Sequence, residues 1–248
     1  MKKINRKRRI SRMNNRTITS LILSMILLIS CSKTVDEQIA IAKENAAKGN
    51  YEKSVEKYEK ALKNIETDEQ GLEIEMALGS IYQENLNNPS KAKFHYASVI
   101  NYAEYLDAST LREMAKKNTS IENYDAAGRA YDLWLSKHGK TDLGASMAYE
   151  RAELYHKHIR DLNKAAEAYK KVYNEYANSP FGPKAAFSLG YMYANELNDM
   201  VKAAEEYTKF LKNYPDNEMV PSVEFEMKYL GKTLEEIPEL QHLMSKQS

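Results

Sequence analysis

Small, aromatic and apolar residues recur in a fixed order along most of the chain. In five segments a small residue is followed four positions later by a tyrosine, and three positions after that by an apolar residue. The spacing i, i+4, i+7 places all three side chains on one face of a helix. The small residues are Ser54, Ala92, Ala127, Ala165 and Ala203, the tyrosines are Tyr58, Tyr96, Tyr131, Tyr169 and Tyr207, and the apolar residues are Ala61, Val99, Trp134, Val172 and Phe210. Successive tyrosines are 38, 35, 38 and 38 residues apart, so the pattern predicts five repeated units with these tyrosines in the core.

A second pattern precedes these segments and predicts that each unit is a pair of helices. In this pattern a leucine and a small residue are followed, three positions after the small residue, by a tyrosine. Leu78-Gly79 with Tyr82 and Leu189-Gly190 with Tyr193 match it fully, and Ala152 with Tyr155 matches it in part. Small residues let two helices approach closely, and a tyrosine fills the space beside them. Two units depart from the pattern: the third has Ala115 and Asn118 at these positions, and the first has Asn45 in place of the tyrosine.

Glycine (9) and proline (6) are scarce in the 248 residues, which favours an all-α protein. The predicted helices are Val35–Lys48, Tyr51–Ile65, Glu69–Glu84, Pro89–Glu104, Ser109–Asn118, Asn123–Lys137, Leu143–His158, Leu162–Tyr176, Pro183–Asn195, Met200–Asn213 and Met219–Leu230.

Together the two patterns resemble the tetratricopeptide repeat (TPR): a helix with Leu-Gly-x-x-Tyr, a turn, and a helix with Ala-x-x-x-Tyr/Phe-x-x-Ala. The resemblance implies an all-α fold, a right-handed α-solenoid of about five TPR-like helix pairs with a C-terminal capping helix over residues 35–230, and a tail over 231–248. In this family the first helices line a groove that takes an extended peptide or a partner's helix. Its groove positions correspond here to Glu73, Gln83, Glu84, Arg112, Lys116, Tyr149, Glu153, His156, Lys157, Phe187, Tyr191 and Asn195.

The first thirty residues carry a different pattern, which predicts an export signal. Eight basic residues and no acidic one stand in this stretch, and an apolar run fills residues 17–30. A helix that crosses the hydrocarbon core needs about 20 apolar residues, so the run is short for a permanent span. A basic start, a short apolar run and small residues at its end are typical of a secretory signal peptide, here residues 1–30. Met1 and Met13 both remain candidate starts.

The one cysteine of the chain, Cys31, directly follows this run in Leu28-Ile29-Ser30-Cys31. The segment resembles the lipobox of bacterial lipoproteins, which implies that Cys31 carries a diacylglycerol and that residues 31–34 form a lipidated N-terminus and short tether. Ser32 favours an outer-membrane anchor with the protein on the periplasmic side of the cell envelope. The alternatives are a plain signal peptide followed by a chance cysteine, and an uncleaved signal anchor.

Charge and residue chemistry argue against several other functions. Beyond residue 30 the chain has 28 basic and 35 acidic residues, whereas a nucleic-acid-binding surface needs a concentrated basic patch. A single cysteine excludes an intrachain disulfide and a cysteine-based zinc site. The chain has no His-Glu-x-x-His, Gly-rich phosphate loop or Gly-x-Ser-x-Gly. The histidines, His95, His138, His156, His158 and His242, are predicted to be surface residues. We therefore expect no enzymatic activity, metal, cofactor or small-molecule substrate.

These features predict a membrane-anchored TPR scaffold or adaptor lipoprotein whose groove binds envelope proteins. The repeats resemble those of two kinds of periplasmic TPR protein: the TPR lipoprotein of the outer-membrane β-barrel assembly machine, and the TPR protein that accompanies the Tol–Pal system in coordinating cell division. The alternative function is a periplasmic factor that binds cell-wall glycan or polymer through the same groove.

Overall fold

The computed structural model describes residues 33–141, 143–233 and 236–237, and within them all regular structure is helical. The α-helices are α1 (Val35–Ala47), α2 (Tyr51–Leu62), α3 (Asp68–Ser80), α4 (Pro89–Ser98), α5 (Ala108–Ser120), α6 (Tyr124–His138), α7 (Gly144–Glu153), α8 (Leu162–Glu175), α9 (Phe181–Asn195), α10 (Met200–Asn213) and α11 (Val220–Lys228). The predicted all-α fold is confirmed. The predicted signal peptide, Cys31, His242 and the end of the tail lie outside the described residues.

Contacts divide the described residues into two compact units, one up to Gln70 and one from Gly71 on, so that the division falls in the first turn of α3. In the first unit, α1 and α2 pack against each other as a helix hairpin. Thr34 begins α1 with a reciprocal cap: its Oγ1 accepts from the Glu37 amide, while its own amide donates to the Glu37 carboxylate, both at 3.2 Å. Ser54 joins the two helices, because its hydroxyl donates to the Ala42 carbonyl at 2.7 Å. The small residue of the repeat pattern therefore also ties the hairpin together.

The second unit contains the helix hairpins α5–α6, α7–α8 and α9–α10, preceded by α3 and α4 and followed by α11. The predicted packing residues lie in the interior: all fifteen side chains of the i, i+4, i+7 pattern in the two units are at most 4% exposed. Burial of a large side chain contributes roughly 1.5–3 kcal/mol relative to exposure, so these residues account for much of what holds each hairpin together. The prediction that the repeated tyrosines form the core is confirmed.

Close helix approach explains the small residues of the first helices. A Cβ atom on Gly79 would lie 2.5 Å from ring carbons of Tyr96, and one on Gly190 would lie 2.6 Å from Cε1 of Tyr207. Each glycine thus makes room for the repeat tyrosine of its own hairpin. Ala115 and Ala152, at the equivalent positions, are fully buried.

The turns between paired helices share a left-handed residue followed by Asn or Asp. The left-handed residues are Gly49 (φ 75°), Asn87 (46°), Glu122 (59°), Arg160 (62°) and Asn198 (52°). The residues that follow are the N-caps Asn50, Asn88, Asn123, Asp161 and Asp199. Three of these side chains, Asn88, Asp161 and Asp199, accept a hydrogen bond from the backbone amide three residues later at 3.0–3.1 Å. A common turn therefore sets the register of each hairpin.

The third repeat replaces the expected tyrosine with a buried asparagine, and its structure shows how this is accommodated. Asn118 Nδ2 donates to the Met114 carbonyl at 2.9 Å, and Asn118 Oδ1 accepts from Asn123 Nδ2 at 2.9 Å. Asn123 also donates to the Lys93 carbonyl at 3.0 Å. Because both amides are satisfied, the hairpin keeps its turn without the aromatic side chain.

Three predicted helices do not continue as regular α-helix to their predicted ends. After α3 and α7 the backbone forms π-helical turns over Ile81–Asn85 and Leu154–Ile159, and after α4 it tightens into a 3₁₀ segment over Val99–Tyr105 with a non-helical Tyr102. The chain is thus helical up to residues 84, 104 and 158, as predicted, but the last turns have π or 3₁₀ geometry. After the π turns the carbonyls of Tyr82 and Tyr155 accept from the following N-cap amides at 2.7 and 3.1 Å, as the Tyr193 carbonyl does at 2.8 Å after the regular helix α9. None of the helices in the described part of the chain is long and apolar enough to cross a membrane.

The prediction that the histidines are surface residues was wrong for His95 and His156, which are buried. His95 Nδ1 lies 2.6 Å from Oε2 of Glu75, a carboxylate on α3 that is itself buried. The Tyr82 ring stacks on His95 at 5.5 Å between centroids. A carboxylate partner satisfies the imidazole and makes its burial tolerable. His158 is exposed, as predicted.

Candidate partner-binding face

The second unit brings six of the predicted groove residues onto neighbouring first helices. Tyr149 and Glu153 lie on α7 and Lys157 on the turn that continues it, while Phe187, Tyr191 and Asn195 lie on α9. We call these six residues the α7–α9 face. Their spacing of four residues on each helix directs them to one side.

Tyr149 joins the two helices of this face. Its ring lies 5.8 Å from the Tyr169 ring and 5.5 Å from the Phe181 ring, and its hydroxyl lies 3.3 Å from Ser188 Oγ. Burial raises the pKa of Tyr149, so the hydroxyl remains protonated and able to hydrogen-bond at neutral pH. Ser188 was not among the predicted groove residues, although it directly follows the predicted residue Phe187 on α9.

Phe187 and Tyr191 extend the aromatic surface along α9. Their rings lie 6.2 Å apart, and the Phe187 ring also lies 6.3 Å from that of the buried Tyr207. Tyr191 is 43% exposed, although it is a large aromatic residue. Tyrosine combines apolar area with a hydrogen-bonding hydroxyl and few rotatable bonds, which makes it effective in protein interfaces.

Polar side chains border these aromatics. Glu153 and Lys157 form an i, i+4 ion pair, and the hydrogen bond to Glu153 raises the pKa of Lys157. Asn195 is exposed, and its Nδ2 donates to the Tyr191 carbonyl at 3.1 Å. An aromatic centre with a polar rim is the usual composition of a protein-binding surface.

His156, predicted to face the groove, instead lies beneath this face. Its Nδ1 is 3.1 Å from the Tyr169 hydroxyl, and its Nε2 contacts the Glu196 carboxylate at the end of α9. Glu196 also pairs with Arg160 at 2.6 Å. Burial raises the pKa of Glu196, but the hydrogen bonds and charges of His156 and Arg160 outweigh this and lower it below its usual range. His156 therefore positions α7 against α9 and supports Tyr169, on which Tyr149 packs.

The remaining candidates lie on α3, the turn after it, and α5. Glu84 is exposed and pairs with Lys117 at 3.4 Å, and Lys117 Nζ also lies 3.3 Å from the Tyr96 hydroxyl. Lys116 is exposed, whereas Glu73, Gln83 and Arg112 are half-buried. Lys117 was not predicted, although it neighbours Lys116 in the sequence. These five candidates are all polar, whereas three of the six residues of the α7–α9 face, Tyr149, Phe187 and Tyr191, are aromatic.

Among the described residues, no three His, Cys, Asp or Glu side chains lie close enough together to hold a metal ion. The buried tyrosines on which the α7–α9 face rests are held in their neutral form, because burial raises the pKa of Tyr169 and Tyr207 well above the ordinary tyrosine value. The chemistry that the α7–α9 face offers is thus apolar contact, hydrogen bonding and paired charge.

Comparison with known families identifies the hairpins that carry this face. Residues 146–179 and 184–217 match the family described as "Tetratricopeptide repeat". The first range covers most of α7 and α8, and the second covers most of α9 and α10. These two hairpins are therefore TPR units, as the sequence pattern predicted. No curated protein is significantly similar to the chain.

Solved structures with a similar course of helices are distant in sequence. A TPR protein from Parabacteroides merdae ATCC 43184 is 14% identical, over 79% of this chain and 73% of its own, with a TM-score of 0.42. MamA from Desulfovibrio magneticus RS-1 is 16% identical, over 76% and 99%, with a TM-score of 0.39. A thermophilic TPR protein from Thermus thermophilus is 12% identical, over 79% and 97%, with a TM-score of 0.36.

Proposed function

We propose that this protein is a lipid-anchored scaffold of the bacterial cell envelope that docks an extended segment of a partner protein on the α7–α9 face and catalyses no reaction. The observation that carries the proposal is the aromatic pair of exposed Tyr191 and half-buried Phe187 with its polar rim, on two hairpins that match the TPR family. Neighbouring apolar side chains that are rimmed by polar residues mark interaction sites, whereas single exposed ones such as Phe94 need no such role. TPR repeats bind protein partners, which makes a protein segment the first candidate.

The anchor is the second part of the proposal. Residues 17–30 form a short apolar run after a basic stretch, and Cys31 stands where a lipobox places the modified cysteine. Acyl chains on Cys31 would hold the repeats close to the outer membrane, where a scaffold meets envelope proteins such as those of β-barrel assembly or of the Tol–Pal system. Labelling with radioactive palmitate tests this part directly: label enters the wild type and not Cys31→Ala. Label in neither form refutes the anchor.

The docking part is tested by crosslinking in cells and recovery of the protein with its partners. Phe187→Ala removes apolar area from the face, whereas Phe94→Ala removes an equally large side chain, 65% exposed, from α4. We expect Phe187→Ala to lose the partners that wild type and Phe94→Ala recover. Equal recovery by both variants refutes docking at this face.

The glycan alternative gives a different outcome in the same experiment. Aromatic rings also stack on sugar rings, so a wall-binding protein would sediment with purified cell-wall material in the absence of any other protein. If wild type sediments in this way, Phe187→Ala does not, and no protein is crosslinked, the scaffold proposal fails and the face binds wall polymer. Thermal melting of each variant shows that the hairpins remain folded.

A further inference from the structure

A cavity of about 530 Å³ opens between α9, α11 and the residues that follow α11. We call it the C-terminal pocket. It begins where the α7–α9 face ends, because Tyr191 and Asn195 line it from α9. Phe225, Glu226 and Tyr229 line it from the opposite side. Its volume is in the range that holds a large side chain or a small ligand.

Glu226 brings an unmatched negative charge into this pocket. The carboxyl is partly buried, and it forms no ion pair with any residue that the structure describes. Burial raises its pKa, while the hydroxyl of the fully buried Tyr207 beside it lowers the pKa in part. Withdrawing a carboxylate from water without a cationic partner costs free energy. A cation delivered into the pocket would recover that cost.

The aromatic lining is suited to the same kind of ligand. The Phe225 and Tyr229 rings lie 5.0 Å apart at an interplanar angle of 59°. The Tyr229 ring already holds cations, since Lys228 Nζ and Lys232 Nζ lie 4.7 and 5.5 Å from its centroid. Lys232 is the one cationic residue among the described residues that line the pocket. Its ammonium group lies over the Tyr229 ring and forms no ion pair with Glu226. Aromatic faces attract ammonium and guanidinium groups and also pack against their aliphatic stems.

We propose that the C-terminal pocket binds a lysine or arginine side chain of the peptide segment docked on the α7–α9 face. The stem of that side chain lies against Tyr191 and Tyr229, and its cationic head pairs with Glu226. The inference rests on the proposed function, because the segment must continue from the face into the pocket. It adds a sequence requirement: the partner carries a basic residue beside the residues that contact Phe187 and Tyr191.

Short random peptides displayed on phage and selected on the full chain in detergent provide the probe. We expect lysine or arginine to be enriched among the selected peptides. Each selected peptide is then synthesised with its basic residue or with norleucine, which keeps the stem and removes the charge. Loss of a charge-assisted contact with cation–π support should weaken binding about tenfold.

Two variants separate the pocket from the face. Glu226→Gln should weaken binding of the basic peptides and leave the norleucine peptides unchanged, while Glu224→Gln, an exposed residue of the same helix, should change neither. Phe187→Ala, which leaves the pocket lining intact, should weaken both kinds of peptide. Should Phe187→Ala unfold the hairpin, Phe187→Leu replaces it, because leucine keeps apolar contact with Tyr207 and removes the ring.

The outcomes distinguish the two proposals. If Phe187→Ala weakens binding and Glu226→Gln affects basic and norleucine peptides equally, the pocket inference is overturned and the docking face stands. If Glu226→Gln weakens only basic peptides and Phe187→Ala has no effect, the docking face is refuted, and with it the continuous path from the face into the pocket; only the preference of the pocket for a basic side chain is then supported. The raised pKa of Glu226 adds a signature: binding of basic peptides should weaken, as pH falls, at a higher pH than an ordinary glutamate protonates, and this dependence should vanish in Glu226→Gln.

Discussion

The same glycine-to-alanine change should have opposite effects at Gly190 and Gly128. Both glycines are buried within helices of the second unit, α9 and α6. A Cβ on Gly190 would lie 2.6 Å from Cε1 and 2.7 Å from Cδ1 of Tyr207. A Cβ on Gly128 would meet nothing closer than Leu154 Cδ2 at 3.9 Å, an ordinary van der Waals distance. At both sites alanine should stabilise the helical backbone, but only at Gly190 does the added methyl group clash with a neighbouring side chain.

The magnitudes follow from these distances. Alanine is favoured over glycine inside a helix by about 1 kcal/mol, and this gain applies at both sites. At Gly190 the Tyr207 ring has to move, and Tyr207 is fully buried, so overpacking costs about 1–3 kcal/mol. We therefore expect Gly128→Ala to raise the free energy of unfolding by about 1 kcal/mol and Gly190→Ala to lower it by up to about 2 kcal/mol.

Urea denaturation followed by circular dichroism measures the difference. The variants should shift the midpoint in opposite directions at an unchanged slope, because neither alters the area exposed on unfolding appreciably. A Tyr207→Ala background provides the control: without the ring, Gly190→Ala should become stabilising, while the effect of Gly128→Ala should stay the same. If Gly190→Ala is as stable as Gly128→Ala in the presence of Tyr207, the close-approach explanation of this glycine is refuted.

Three further substitutions test the turns and the buried network. Asn88→Ala removes the cap that accepts from the Lys91 amide and should cost about 1 kcal/mol in urea denaturation; an unchanged midpoint would contradict a capping role. Glu122→Gly relieves the left-handed backbone (φ 59°) and should stabilise by about 1 kcal/mol by the same measurement, and any loss would contradict strain at this turn. Glu196→Ala leaves His156 without its carboxylate and should lower the melting temperature more than Glu196→Gln does, whereas equal effects would show that the contact is not a polar one.

The packing of the hairpins could be predicted from the sequence because it depends on side chains in fixed register. Ala165, Tyr169 and Val172 share a helical face. Because the packing requires a small or an aromatic residue at these positions, the requirement can be recognised in the sequence. The helix ends were less predictable. The π turn over Leu154–Ile159 contains no glycine or proline, and the same closing hydrogen bond follows the regular helix α9, so no local sequence signal marks where the helix widens.

The burial of His95 and His156 could not be predicted, for a different reason. His156 and Glu196 lie 40 residues apart, and His95 and Glu75 lie 20 apart, so no local pattern joins either pair. A lone histidine in a charged helix resembles a surface residue until the neighbouring helix supplies its partner. Such pairs belong to tertiary structure, and only the packing of α7 against α9, or of α3 against α4, brings them together.

Partner choice lies in the residues that the repeat pattern leaves unconstrained. Tyr169 and Tyr207 are fixed by packing, and any hairpin of this kind can use them regardless of what it binds. Phe187 and Tyr191 on the α7–α9 face, by contrast, are partly exposed, and the repeat does not require a carboxylate at Glu226. Replacing these partly exposed residues should therefore change which segments bind with little effect on the melting temperature, whereas replacing a buried tyrosine should lower the melting temperature without changing which segments bind.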